Sequence, residues 1–209
     1  MRRLVIAALL ALTGCATAVS DSLERRGVTP EEKAMEQAAA AGETAARAGA
    51  ALQNAGAAMK AVANADAATI GQRTAALDAA CSAAARDAQE LRIDMRAAQS
   101  AGGRWLNEWE RQSQYDIDDD TRQRNAVDLG GARSRFDRLM ADFARAADTA
   151  DKAVALCNIE TEFLGKNPGP VAAASRRNQR AAFAEAVADA QRRLNAAKSA
   201  AASFAAGLK

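Results

Sequence analysis

Residues 70–109 read IGQRTAALDAACSAAARDAQELRIDMRAAQSAGGRWLNEW, and one spacing inside them decides the fold. Ile70, Thr74, Leu77, Cys81, Ala84, Ala88, Leu91, Met95, Ala98, Gly102, Trp105 and Trp109 are separated by strictly alternating intervals of four and three. An α-helix turns once every 3.6 residues, so an apolar repeat of 3.5 keeps one stripe facing a partner helix and supercoils it left-handed. Three other stretches repeat the pattern. The first is Met35, Ala38, Gly42, Ala45, Gly49, Leu52, Gly56, Met59 and Ala63. Another is Leu129, Phe136, Met140, Phe143, Ala147, Ala150, Val154, Cys157, Thr161 and Leu164. The last is Phe183, Val187, Ala190, Leu194, Ala197, Ala201, Phe204 and Leu208. An alanine-rich chain matches such a template partly by chance, but nearly every large apolar residue also falls on these seams. The spacing predicts an all-α protein, an elongated antiparallel coiled coil or four-helix bundle.

Composition points the same way. Alanine fills 59 of 209 positions, aromatic residues are 4% and prolines number three. Alanine is the strongest helix former, and few residues here favour strands. A core of alanine buries little area per residue, so the helices must run far and approach closely.

Turn chemistry sets the boundaries of a single domain over 30–209, with helices near 30–63, 67–113, 120–164 and 171–206. Thr29-Pro30-Glu31-Glu32 supplies a cap, a first-turn proline and acids at a helix start. Asp66 is placed to cap the second helix, and Asp120 the third. Gly165 reads as the glycine that closes the third helix before the Pro168-Gly169-Pro170 turn, and Gly130-Gly131 as a kink or weak point within it. Short connections make neighbours antiparallel. Folding about residue 119 sets Gly102 against Phe136, Met95 against Phe143 and Cys81 against Cys157. Folding the first pair near residue 66 sets Gly42 against Leu91 and Gly56 against Leu77. Cys81 and Cys157 then fall at one height on a thin seam, so they are predicted to form a disulfide.

The N-terminus carries the address. Arg2 and Arg3 precede an apolar run, Leu4 to Leu12, too short to span a bilayer, and Leu12-Thr13-Gly14-Cys15 has the form of a bacterial lipobox. This reading makes 1–14 a cleaved signal peptide and Cys15 the lipidated first residue, acylated by chains such as palmitate. Residues 15–29 form its tether. Ala16 in place of an aspartate points to the outer membrane, facing the periplasm. Removing Arg2 and Arg3 from 28 basic residues leaves 26, equal to the 26 acidic ones, and a neutral chain argues against nucleic acid as a partner. The expected partners are the membrane, through Cys15, and proteins of the envelope.

Catalytic chemistry has little to stand on. The chain has no histidine, so the commonest general base and metal ligand is missing. Two cysteines besides Cys15 are too few for a usual zinc site, and no phosphate loop or nucleophile elbow occurs. Asp116, Asp118, Asp119 and Asp120 lack the glycine and glutamate of a calcium loop and read as a solvated turn. No cofactor, metal or catalytic residue is expected. Trp105, Trp109 and Tyr115 cluster near the same turn, either as a membrane or partner contact or as a cap on the open end of the core. Arg176, Arg177, Arg180, Arg192 and Arg193 read as a solvated basic face pairing with acids on neighbouring helices.

Four segments carry a resemblance: Trp105-Leu106-Asn107-Glu108-Trp109-Glu110, Tyr115, Arg133-Ser134-Arg135-Phe136-Asp137-Arg138-Leu139 and Phe163-Leu164-Gly165-Lys166-Asn167. Together they resemble the uncharacterised bacterial lipoproteins grouped as domain-of-unknown-function family 2959. That family combines a lipobox, long helices, a Glu-Trp-Glu segment, an Arg-x-Arg-aromatic segment and a Phe-Leu-Lys-His-Asn segment. Gly165 and Lys166 stand here in place of its Lys-His. The resemblance implies architecture and address but no activity. The reading is a non-enzymatic, membrane-anchored periplasmic scaffold or adaptor. The alternative is a carrier or chaperone that holds lipid or an outer-membrane protein in an apolar groove between helices.

Overall fold

The computed structural model describes residues 28–115 and 118–207. They form five helices and no strand: α1 (Pro30–Ala63), α2 (Ile70–Ser113), α3 (Asp119–Lys166), the short α4 (Pro170–Ser175) and α5 (Arg177–Ala206). The signal peptide, Cys15, most of the tether, Asp116 and Leu208 lie outside the described residues. The helix α1 packs on α2 and α5, and α3 packs on the same two, while α1 and α3 barely meet across the centre. Consecutive long helices thus run antiparallel around a ring of four, as short connections require.

Local chemistry starts the first three helices. Thr29 and Glu32 form a capping box: the Thr29 hydroxyl accepts from the Glu32 amide at 3.1 Å, and the Glu32 carboxylate accepts from the Thr29 amide at 2.8 Å. Regular α2 begins at Ile70 rather than 67. Asp66 still organises the turn that feeds it, accepting from the Thr69 amide at 2.9 Å through its side chain and from the Ile70 amide at 3.0 Å through its carbonyl. The Thr69 hydrogen bonds hold the Asp66 carboxyl below its usual range. At α3 the cap is Asp118 and not Asp120, since the Asp118 side chain accepts from the Thr121 amide at 2.7 Å.

Three expectations about α3 and its exit are corrected. The helix runs unbroken through Gly130-Gly131. It also continues past Gly165 to Lys166 and stops at Asn167, whose side-chain amide and backbone N–H both donate to the Phe163 carbonyl. Pro168 disfavours helical backbone at the residue before it, so termination needs no glycine there. The positive φ falls later, at Gly169, with φ 154°. The predicted fourth helix is split: Arg176 leaves helical geometry at φ −92°, ψ 28°, dividing α4 from α5.

The seams of α2 and α5 lie as the spacing predicts, with Leu106 and Ala101 added on α2 and Thr74, Met95 and Trp109 only partly buried. Those of α1 and α3 are half displaced. In α1 the most buried stripe is Ala34, Ala38, Ala41, Ala45, Ala48, Leu52, Ala55, Met59 and Val62, while Met35 and Gly49 are half-buried and Ala63 is exposed. In α3 it is Leu129, Ala132, Phe136, Leu139, Phe143, Ala146, Ala150, Ala153, Cys157, Glu160 and Leu164. The glycines of α1 face α5, not the leucines of α2: an added Cβ would meet Ala201 from Gly42, Leu194 from Gly49 and Val187 from Gly56. These three contacts recur every seven residues on both helices; the approach is tightest at Gly42, where an added Cβ would lie 3.0 Å from Ala201, and loosens to 3.9 Å at Gly56. Gly102 does face Phe136, as the fold about residue 119 predicts.

Candidate functional site

The start of α1, the last turns of α2, the early turns of α3 and the end of α5 converge at one end of the ring. Trp105 is buried there, with its ring 6.0 Å from Phe204 and nearly perpendicular to it. Phe136 lies 5.8 Å from Phe204, and Trp109 5.8 Å from Trp105. Edge-on and tilted pairs at such separations add attraction beyond area burial. Trp105 is therefore a core residue that closes the bundle end, and it also borders the cleft described next. Trp109 is half-buried, and Tyr115 stands 80% exposed at the tip of the α2–α3 hairpin. The sequence reading grouped the three; the structure sorts them into a plug, a wall and an exposed tip.

Because α2 and α3 run past the start of α1 and the end of α5, the step between them leaves a cleft of about 810 Å³. Trp109 and the exposed Val127 supply its apolar walls, and Glu31, Glu108, Asp128 and Arg135 its charges. Arg111, followed by Gln112, hydrogen-bonds Glu108 and holds its carboxyl below the usual range, so it stays ionised near neutrality. Arg133 bridges to Glu110 at 3.0 Å and ties the two arms of the hairpin. The cleft offers apolar surface and charges of both signs, and no histidine, cysteine nucleophile or paired base is in its wall. In the adjoining acidic turn, Asp118 serves as a helix cap and Asp119 pairs with Arg122 at 3.0 Å. Among the described residues no group of three potential metal-ligating side chains comes together.

The structure joins Cys81 to Cys157 by a disulfide, with Cα atoms 5.8 Å apart, on the α2–α3 seam toward the end opposite the hairpin. Close by, Arg92 of α2 holds two acids of α3, donating from Nε to Asp151 at 2.8 Å and from Nη2 to Asp148 at 3.1 Å and to Asp151. Asp151 above all raises the guanidinium pKa. Along α1 and α2, Thr44 donates to Asp94 at 2.6 Å and Arg47 to Glu90 at 2.8 Å.

Sequence reasoning missed the opposite end. Glu160 is 2% exposed at a core position of α3. Arg176 donates to it at 3.0 Å and lies over the Phe163 ring at 4.4 Å, and Arg180 stands 3.8 Å from its second oxygen. Arg180 also donates to the Ala173 carbonyl, closing the last turn of α4. Two arginines assigned to a solvated face pair with an acid of a neighbouring helix as expected, but they are half-buried, and Arg176 stands where the fourth helix breaks. Arg192 keeps to the surface with Asp189. Lys166, at the position of the family's histidine, pairs with Glu162 at 2.6 Å.

Among the described residues no helix is long and apolar enough to cross a membrane. The chain belongs to the family described as Protein of unknown function (DUF2959), which it matches over residues 20–208. No curated protein and no solved structure matches it.

Proposed function

We propose that this family member is a lipid-anchored helical scaffold or adaptor of the bacterial cell envelope, tethered through Cys15 to the periplasmic face of the outer membrane. The observation that carries the reading is the Arg2-Arg3 pair, the short apolar run and Leu12-Thr13-Gly14-Cys15. The bundle supports it with a stiff ring of long helices whose first residues enter at the tryptophan end, beside a cleft able to meet a partner. A chain without histidine, with its two distal cysteines joined to each other, favours a binding role over an enzymatic one. The test is Cys15→Ser followed by fractionation of cells. The variant is expected to leave the membrane fraction or to retain its leader, and a variant that fractionates and migrates like the parent refutes the anchor.

One observation favours a carrier as the second reading: a groove of about 460 Å³ opens between α1 and α5 and is lined largely by apolar side chains. Binding of an apolar dye at this groove would support it, and its absence would leave the scaffold reading alone.

A further inference from the structure

The α1–α5 groove has a polarity along its length. The register set by Gly42–Ala201, Gly49–Leu194 and Gly56–Val187 places Lys60 level with Phe183, a turn from Arg180. Lys60 and Arg180 are the only charged side chains in the lining, and both lie toward the α1–α2 turn. Beyond them Met59, Gly56, Phe183 and Val187 form the walls. Each groove-forming segment is ten to twelve residues long, about 15 Å of helix.

We propose that this groove binds one long-chain fatty acid, with its carboxylate between Lys60 and Arg180 and its chain along Met59, Gly56 and Val187. Three features select that occupant. Gly56 carries no side chain where α5 crosses, so a trough persists instead of an interdigitated seam, and its nearest neighbour would be Val187 at 3.9 Å from an added Cβ. A volume of about 460 Å³ falls in the range of small-molecule sites and suits one acyl chain better than two. The charge is complementary: Arg180 donates Nη1 to the Ala173 carbonyl and pairs at 3.8 Å with Glu160, an acid it shares with Arg176, so two guanidiniums against one carboxylate leave a net positive charge at this end of the groove. Lys60 is exposed and forms no ion pair among the described residues, so its charge is available at the same end. Burial of the chain supplies the affinity, and the two cations fix its direction.

This site rests on the carrier reading and not on the lipid anchor, so failure of one leaves the other standing. The test is native mass spectrometry of the full mature protein, released from detergent, with added palmitic acid or hexadecanol. One palmitate per chain is expected, with hexadecanol binding more weakly. Ala188→Trp places a bulky group in the groove from an exposed position and is expected to abolish the adduct. Lys60→Glu is expected to weaken palmitate about tenfold while leaving hexadecanol unchanged. Circular dichroism confirms that both variants fold. No palmitate adduct, an adduct that survives Ala188→Trp, or equal loss of acid and alcohol in Lys60→Glu overturns the proposal.

Discussion

Adjacent glycines show how finely single atoms set this fold. Gly102 faces α3, and a Cβ there would overlap the Phe136 ring, which is itself held against Phe204. Gly103 has nothing within 4 Å of an added Cβ. Alanine improves helix propensity at either position by about 1 kcal/mol, but overpacking a filled core costs about 1–3 kcal/mol. Gly103→Ala is therefore expected to stabilise by roughly 0.5–1 kcal/mol, and Gly102→Ala to destabilise by about 1–2 kcal/mol, measured by urea unfolding. Equal effects at the two positions would contradict the α2–α3 register. Legibility at this scale follows side-chain size. Phe183, Leu194 and Phe204 each sit on the α5 seam, so that helix is readable outright. In α1, alanine and glycine alternate across adjacent stripes, and hydrophobicity alone does not separate Ala41 from Gly42 or Ala48 from Gly49. Only the closer approach of α5 distinguishes them. Glu160 was unreadable for the opposite reason: a carboxylate on a core stripe is costly unless paired, and its partners Arg176 and Arg180 lie beyond a turn.

Two cross-links act between elements. The Cys81–Cys157 disulfide joins α2 to α3 across 76 residues of sequence. A covalent loop restricts the unfolded chain, a contribution of about 2–4 kcal/mol. Reduction, or the Cys81→Ala/Cys157→Ala pair, is expected to lower Tm by roughly 5–15 °C with helicity retained below the transition. Peptide mapping without reduction should recover the linked pair, whereas two alkylatable thiols in protein taken from the periplasm would refute it. The second cross-link is ionic. Glu160 holds Arg176 and Arg180, whose side chains are only 18% and 13% exposed, at the corner where α3, α4 and α5 meet. Removing the acid leaves two largely buried cations opposing one another. Glu160→Ala is expected to destabilise by about 3–5 kcal/mol and to free α4, read as faster amide exchange over residues 170–176. If exchange there is unchanged, the triad does not hold the corner. The break at Arg176 could not be read from propensity, because arginine is a good helix former and its partner Glu160 lies beyond a turn.

At the scale of the whole molecule, an even number of long antiparallel helices brings the chain's entry and exit to one end. Thr29 and Gly207 both line the cleft beside Trp109, whereas the α1–α2 turn lies at the far end of α2. The 44 residues of α2 rise about 65 Å. The covalent path from Cys15 to Val28 spans thirteen residues and reaches at most about 45 Å. The proposed lipid on Cys15 would therefore orient the rod as well as anchor it: the tryptophan end would stay nearer the bilayer, and the α1–α5 groove, whose cations lie toward the α1–α2 turn, would face away from it. Dyes at two exposed positions read this directly. With the lipidated protein in vesicles doped with an acceptor lipid, a donor on Tyr115→Cys is expected to transfer energy strongly, and one on Ala67→Cys weakly. The native Cys81 and Cys157 are expected to stay unlabelled because they are joined. Cleavage of the tether should abolish the difference by releasing the bundle. Equal transfer from both positions would mean that the rod lies along the membrane. Stronger transfer from Ala67→Cys would place the wrong end at the bilayer and remove the tethered-scaffold geometry altogether.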